Sequence, residues 1–146
     1  MMKNALIDIR GTQGADGEEN VIELTTDGKF GERNGEFFIS YDESEMLGID
    51  NVKTNLYIKA DNSVILQRSG AVESRLVVES GKRSVCWYNM PEGELLIGIF
   101  GETVEHNLKK SGGSLSLKYT IDQNMSFISR NTVNITVSTV DESEHA

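Results

Sequence analysis

The sequence predicts an all-β protein: a single antiparallel up-and-down (meander) β-barrel of about eight to ten strands. Nearly every segment alternates apolar and polar residues with the period of a strand, and no window keeps a helical period. The chain has one Pro, and its 14 Gly fall mostly between the alternating runs. Consecutive tight hairpins without a long crossover favour a meander, and closing it into a barrel leaves no edge strand. A β-sandwich is the alternative.

The first hairpins carry the clearest signals. Residues 5–13 alternate with Ile7 and Ile9 on one side, and the glycine-rich cluster at 14–17 turns the chain. Asn34-Gly35 then lies between two alternating runs, which favours a two-residue turn because both residues adopt positive φ readily. This turn places Arg33 opposite Glu36. Counting outward, three polar side chains fall on the more apolar side, which is the core side: Tyr41, Glu43 and Glu45.

The next hairpin turns at residues 61–63. A three-residue loop there sets Ala60 opposite Val64, and the pairing then matches apolar residues until Arg68. Arg68 is therefore also predicted to point inward. Because buried carboxylates are costly unless paired, we expect Glu43 or Glu45 to form an ion pair with Arg68. A bulge in the earlier hairpin would instead turn both carboxylates outward.

A two-residue loop at Ser80-Gly81 predicts a third hairpin. It sets Val78 opposite Arg83 and Ser74 opposite Trp87, so Arg83 and Trp87 are predicted to face inward. Cys86 then falls on the outer side.

The last strands follow turns at residues 90–93 and 111–113. Ile97 and Ile99 continue the apolar side, and glycines at 98 and 101 predict a bend or bulge there. Tyr119 lies on the apolar side of the next strand. Ser129 and Asn131 lie on the apolar side of the last one. We expect one domain at residues 1–140 and an acidic, disordered tail at 141–146.

Charge and composition restrict the function classes. The formal net charge of -9 disfavours binding to nucleic acid or anionic membranes, which depends on clustered Lys and Arg. One Cys excludes an internal disulfide, and neither a signal peptide nor a long apolar run is recognisable, so a cytoplasmic location is expected. Two His without ligand spacing support no metal, and no cofactor motif is present.

The inward polar and aromatic residues form the candidate ligand site: Tyr41, Glu43, Glu45, Arg68, Arg83, Trp87, Tyr119, Ser129 and Asn131. Aromatic rings with a few convergent polar groups are typical of small-molecule sites. The same residues could instead form a satisfied internal network that sets strand register. No catalytic residue is predicted, although paired carboxylates such as Glu43 and Glu45 can perform acid-base chemistry. Cys86 is interpreted as a small packing residue.

Several short motifs resemble the YwiB-like family of small bacterial proteins, which carries a domain of unknown function. They lie at residues 39–48, 68–71, 81–83, 88–93 and 127–131, and the resemblance extends from residue 12 to residue 137. It implies a calycin-like barrel, similar in architecture to lipocalins. It implies no activity, ligand or catalytic residues.

The leading functional hypothesis is a cytoplasmic protein that binds a small polar or amphipathic molecule in a partly polar barrel lumen. The alternative is a filled barrel that acts as a structural or protein-interaction module, with a homodimer as one form. An enzyme that uses the interior carboxylates is a weaker alternative.

Overall fold

The structure is a computed structural model that describes residues 2–15, 17–42, 51–70, 73–90 and 93–139. Within these residues the chain forms ten strands and no helix, which confirms the predicted all-β class. The strands in chain order are β1 (Met2–Ala15), β2 (Glu18–Arg33), β3 (Glu36–Asp42), β4 (Val52–Ile58), β5 (Val64–Gly70), β6 (Glu73–Val78), β7 (Arg83–Met90), β8 (Gly93–His106), β9 (Gly112–Gln123) and β10 (Ser126–Thr139).

The ten described strands close into an antiparallel barrel. Each strand pairs with its neighbours in sequence, and β1 pairs with both β2 and β10 to complete the ring. The predicted up-and-down barrel is therefore confirmed, and the sandwich alternative is not formed. No helix in the described part of the chain is long and apolar enough to cross a membrane.

Alternate residues of each strand fill the barrel interior. Ile7, Ile39, Leu56, Ile99 and Leu117 are among the fully buried side chains. One end of the interior is closed by aromatic rings: Phe30 stacks on Phe37 at 5.9 Å between centroids, and Phe37 meets the His106 ring edge-on at 5.6 Å.

The register of the β2–β3 hairpin is the predicted one over the described residues. Arg33 pairs with Glu36 and Gly28 pairs with Tyr41, so Tyr41 faces the interior and is 3% exposed. β3 ends at Asp42, and the predicted inward positions of Glu43 and Glu45 lie outside the described residues, as does the predicted tail at 141–146.

The predicted register of the β4–β5 hairpin is wrong by two residues. Val64 pairs with Ile58 instead of Ala60, because the loop spans residues 59–63. The Lys59 amide donates to the Ser63 carbonyl at 2.9 Å, which lengthens the turn. A two-residue shift preserves which face each side chain occupies, so Arg68 still points into the barrel.

The predicted register of the β6–β7 hairpin is wrong by one residue. The inward and outward faces of β7 are therefore the opposite of those predicted. Ser74 pairs with Tyr88 instead of Trp87. The turn at Ser80-Gly81 forms, but Gly101 of β8 inserts beside it, with the Gly81 amide donating to the Gly101 carbonyl at 2.8 Å. One extra residue of β7 therefore lies between the turn and the regular ladder. Cys86 faces inward instead of outward.

Candidate functional site

A cavity of about 230 Å³ occupies the barrel interior opposite the aromatic end. Its walls come from strands on both sides of the barrel. The polar part of the lining is formed by seven residues: Thr12, Gln13, Tyr41, Arg68, Tyr119, Asn131 and Thr132. Apolar side chains, including Ile9, Leu66, Leu76 and Val133, complete it. The cavity is therefore amphipathic, with polar groups on two opposite walls.

Tyr41 and Arg68 form the first polar wall of the cavity. They belong to a row of paired residues across β3 to β6 whose other members, Thr54 and Ser74, do not line the cavity. Tyr41 pairs with Thr54, Thr54 pairs with Arg68, and Arg68 pairs with Ser74. All four residues occupy the inward face of their strands, because they alternate in step with buried apolar neighbours. Arg68 thus has a hydroxyl-bearing residue on each side.

The two hydroxyls beside Arg68 are buried and make no hydrogen bond in the described structure. Thr54 is 0% exposed and Ser74 is 7% exposed, and neither Oγ1 of Thr54 nor Oγ of Ser74 has a partner. A buried polar group without a partner costs about 1–3 kcal/mol. Such groups are uncommon in folded proteins and call for an explanation at each site.

The second polar wall lies on β9, β10 and β1. Tyr119 pairs with Asn131, which pairs with Gln13. The Asn131 amide donates to the Ser129 hydroxyl at 3.1 Å, and both side chains are buried. This bond orients the Asn131 amide beside the cavity and leaves further hydrogen-bonding capacity on it.

The structure brings together five of the predicted site residues. Tyr41, Arg68, Tyr119 and Asn131 line the cavity, and Ser129 supports Asn131. Sequence reasoning did not single out Thr54, which lies beside Arg68 behind the cavity lining, although the alternation that places Leu56 inward also places Thr54 inward. Ser74 was placed on the correct face but was not included in the site.

The predicted inward positions of Trp87 and Arg83 are wrong. Trp87 is 60% exposed on the outer face of β7, and Arg83 lies on the same face. The physical reason is the one-residue slip beside Gly101, since side chains alternate with period two. Neither residue is among those that line the cavity, so neither joins the candidate site.

Arg83 instead forms an ion pair on the outside of the barrel. Its Nε donates to Oδ2 of Asp122 at 3.0 Å, and its terminal nitrogen donates to Oδ1 at 2.5 Å. The hydrogen bonds hold the pKa of Asp122 below its ordinary value and raise the pKa of Arg83. This pair fixes β7 against β9 across β8.

Cys86 carries a buried free thiol and lies where the regular pairing between β6 and β7 ends. Its Sγ accepts a hydrogen bond from the Val77 amide at 3.4 Å, and burial raises the pKa of the thiol. A raised pKa keeps the thiol protonated, so the interpretation of Cys86 as a packing residue fits its surroundings. In the described part of the chain no three His, Cys, Asp or Glu side chains lie close enough to hold a metal ion.

The fold and the lumen together define a small closed β-barrel with a partly polar internal cavity. A protein-family model described as "Domain of unknown function (DUF1934)" matches residues 7–135, and the chain belongs to this family. It is also 30% identical over 104 residues to the "Uncharacterized beta-barrel protein YwiB" of Bacillus subtilis (strain 168), which covers 71% of each chain.

The solved structures include a barrel with the same fold. The structure titled "Crystal structure of ywiB protein from Bacillus subtilis" matches with a TM-score of 0.82 and 22% identity over 96% of this chain and 94% of that one. These matches confirm the resemblance to a YwiB-like family and the closed barrel. Their descriptions state no ligand, reaction or partner.

Proposed function

We propose that this protein binds a small polar or amphipathic molecule in the lumen cavity. The observation that carries the proposal is the pair of buried, unpartnered hydroxyls of Thr54 and Ser74 on either side of Arg68. These hydroxyls do not line the empty cavity, but they flank Arg68, which does. A ligand whose polar end reaches past the Arg68 side chain would satisfy groups that otherwise cost free energy in the folded protein.

The rest of the lumen supports an amphipathic ligand. Tyr41 and Tyr119 supply aromatic surface, and Leu66 and Leu76 supply aliphatic surface beside the polar wall. Asn131 offers an amide on the opposite wall, where it can contact a second polar group of the same molecule. An interior that only had to be filled would more simply be packed with aliphatic side chains.

The size of the cavity narrows the ligand class. Its volume of about 230 Å³ is below the range of roughly 300–1,000 Å³ that is usual for drug-sized ligands. We therefore expect a metabolite-sized molecule and not a long-chain lipid. Barrels of the lipocalin type hold one small ligand in the same place. We further propose that the protein acts in the cytoplasm, where its single buried cysteine stays reduced.

The test is a thermal-shift screen of metabolites, combined with native mass spectrometry of protein purified from its source. Ligand at about 100 times its Kd stabilises a protein by roughly 2.7 kcal/mol, which is readily detected as a rise in Tm. Trp87 fluorescence is unsuitable as the reporter, because Trp87 lies outside the lumen.

The variants Thr54→Val and Ser74→Ala identify the site of any stabilising compound. Both should fold and both should lose most of the ligand-induced Tm shift. Thr136→Val is the matched control, since Thr136 is exposed on the outer face of β10. The proposal fails if no compound stabilises the protein and none co-purifies, or if a stabilising compound acts equally on Thr54→Val and Thr136→Val.

A further inference from the structure

A group of large apolar side chains covers the outside of the barrel on β7, β8 and β10. They are 38% to 60% exposed, and we call them the outer apolar surface: Val85, Trp87, Leu96, Phe100 and Phe127. Single exposed apolar residues are normal on a monomer, whereas a contiguous group indicates an interaction site.

Strand pairing makes these residues contiguous. Trp87 pairs with Leu96, and Arg83 pairs with Phe100. Val85 pairs with Gly98, which pairs in turn with Asp122 on β9. Phe127 pairs with Asp122 from the other side, so one row runs from β7 to β10. Outward side chains of neighbouring strands lie side by side along such rows.

The centre of the outer apolar surface has no side chain at Gly98, and its two charged groups, Arg83 and Asp122, are paired with each other. Gly98 has no side chain, and the Arg83 guanidinium lies across it, since a Cβ at Gly98 would come within 2.2 Å of an Arg83 nitrogen. Arg83 and Asp122 already neutralise each other through two hydrogen bonds. Covering this centre would therefore bury no unpaired charge at Arg83 or Asp122, which is the usual penalty at an interface.

The exposed apolar area is of the size a dimer interface needs. At roughly 200 Å² for a large side chain, the exposed fractions give on the order of 500 Å² of apolar area. A standard interface buries about 800 Å² per partner, and homodimer interfaces are about 65% apolar, which also amounts to on the order of 500 Å².

Charge favours a second copy as the occupant. The chain carries a formal net charge of -9, so two copies repel unless they meet through a surface without net negative charge. None of the five residues of the outer apolar surface is charged, its ion pair is neutral, and the exposed Arg75 pairs with Trp87 in the ladder. The exposed carboxylates of Glu73 and Glu94 lie in the next row, at the rim of this surface. A two-fold contact places the same surface on both partners, and apolar, neutral surfaces are self-complementary.

We propose that the outer apolar surface is a self-association interface, through which two copies of this chain form a symmetric dimer centred on Trp87 and the Arg83–Asp122 pair. This inference concerns the outside of the barrel and is independent of the lumen ligand. It also gives a role to Trp and Arg, the residue types that most often dominate interface energetics.

Sedimentation velocity over a range of concentrations tests the proposal. The wild-type chain should shift from monomer to dimer as its concentration rises. Trp87→Ser and Phe127→Ser should each weaken the dimer at least about thirtyfold, the effect expected of a central interface residue. Val21→Ser is the matched control, because Val21 is 54% exposed on β2 and lies outside the outer apolar surface. The control should dimerise like the wild type.

The fluorescence of Trp87 gives a second, independent readout, since it is the only Trp in the chain. Its emission should move to shorter wavelength as the dimer forms. The proposal is overturned if the chain stays monomeric at its highest soluble concentration, or if the dimer persists unchanged in both Trp87→Ser and Phe127→Ser. It is also overturned if a monomer shifts its emission only when phosphatidylcholine vesicles are added, which would indicate a lipid surface instead.

Discussion

Arg83 and Asp122 form a two-contact ion pair that spans three strands on the outside of the barrel. Arg83 lies on β7 and Asp122 on β9, and the guanidinium crosses Gly98 of β8 to reach the carboxylate. Asp122 Oδ1 also accepts a hydrogen bond from the Met125 amide in the β9–β10 turn at 3.2 Å. The Asp122 carboxylate thereby connects the β9–β10 turn to β7, which is separated from β9 by one strand.

The first prediction is an acid dependence that Asp122→Asn reduces. The pKa of Asp122 is held below its ordinary value of 3.8, chiefly by hydrogen bonds from Arg83. Its ionised form therefore stabilises the folded state above that pH, and this stabilisation is lost as pH falls through the lowered pKa. Urea unfolding at about pH 7 and about pH 3 should show a smaller loss of stability in Asp122→Asn than in the wild type. An equal loss of stability in Asp122→Asn and in the wild type would contradict the prediction.

A residual acid dependence should remain in Asp122→Asn. The pKa of Asp61 is also lowered, first by the Ser63 hydroxyl and then by the Ser63 amide. The double variant with Asp61→Asn should therefore be the least sensitive of the set to acid.

The second prediction contrasts two glycines. A Cβ at Gly28 would lie 2.3 Å from the Ser40 carbonyl oxygen, whereas one at Gly98 would meet the movable end of Arg83. The Ser40 carbonyl belongs to the backbone of β3 and cannot move aside as a side chain can. Gly28→Ala should therefore destabilise the protein by about 1–3 kcal/mol through overpacking. Gly98→Ala should cost less and should flatten the acid dependence as Asp122→Asn does. Chemical denaturation measures both effects, and a reversed order of the two costs would contradict the prediction.

The third prediction is that Thr54→Val stabilises the protein without ligand. The substitution keeps the shape of the side chain and removes a buried hydroxyl that has no hydrogen-bond partner. The free energy of unfolding should rise by about 1 kcal/mol. Thr136→Val, on the exposed face of β10, should change it little. A loss of stability in Thr54→Val would mean that the hydroxyl has a partner in solution.

The fourth prediction concerns Arg68 and the segment at 43–50, which lies outside the described residues. We expect an ion pair between Arg68 and Glu43 or Glu45, and its existence stays a prediction. If it forms, Arg68→Met should cost on the order of 3–5 kcal/mol, because a buried carboxylate loses its partner. Adding Glu43→Gln and Glu45→Gln should restore much of that loss. Near-zero costs for the single and the combined changes would place these groups in solvent.

The fifth prediction concerns Cys86. Burial raises the pKa of its thiol above the ordinary value of 9.0, so the folded state keeps the proton longer than the unfolded state. Stability should therefore fall as pH rises above about 9, and Cys86→Ala should lack this decline. The same variant leaves the Val77 amide without an acceptor and should cost about 1–3 kcal/mol at neutral pH. A thiol reagent that modifies the native protein as fast as the unfolded one would contradict its burial.

Local patterns predicted the parts of the fold that depend on local geometry. The Asn34-Gly35 turn gave the correct register because both residues adopt positive φ, here 54° and 80°. The β4–β5 pairing was misplaced by two residues, since nothing in the sequence shows that residues 59–63 form one longer loop. The inward and outward faces of β4 and β5 were still predicted correctly, because a shift of two residues leaves each side chain on the same face.

The β7 strand shows why the rest could not be predicted. Its orientation depends on Gly101, which lies 20 residues beyond the Ser80-Gly81 turn and hydrogen-bonds to it from β8. The alternation of apolar and polar residues in β6 and β7 does not indicate this contact with a distant part of the chain. Trp87 was therefore assigned to the interior, although the same alternation shifted by one residue places it outside.

Ring closure by β1 and β10 has a consequence for how the chain folds during synthesis. Ala5 pairs with Thr139, so β1 completes its hydrogen bonds only after β10, which is synthesised more than 100 residues later, has been made. Until then one side of β1 exposes a full row of amides and carbonyls that can pair with another nascent chain. Such non-local pairing slows folding. We expect the yield of native protein to depend more on the rate of translation and on chaperones that cover this strand than on the stability of the finished barrel.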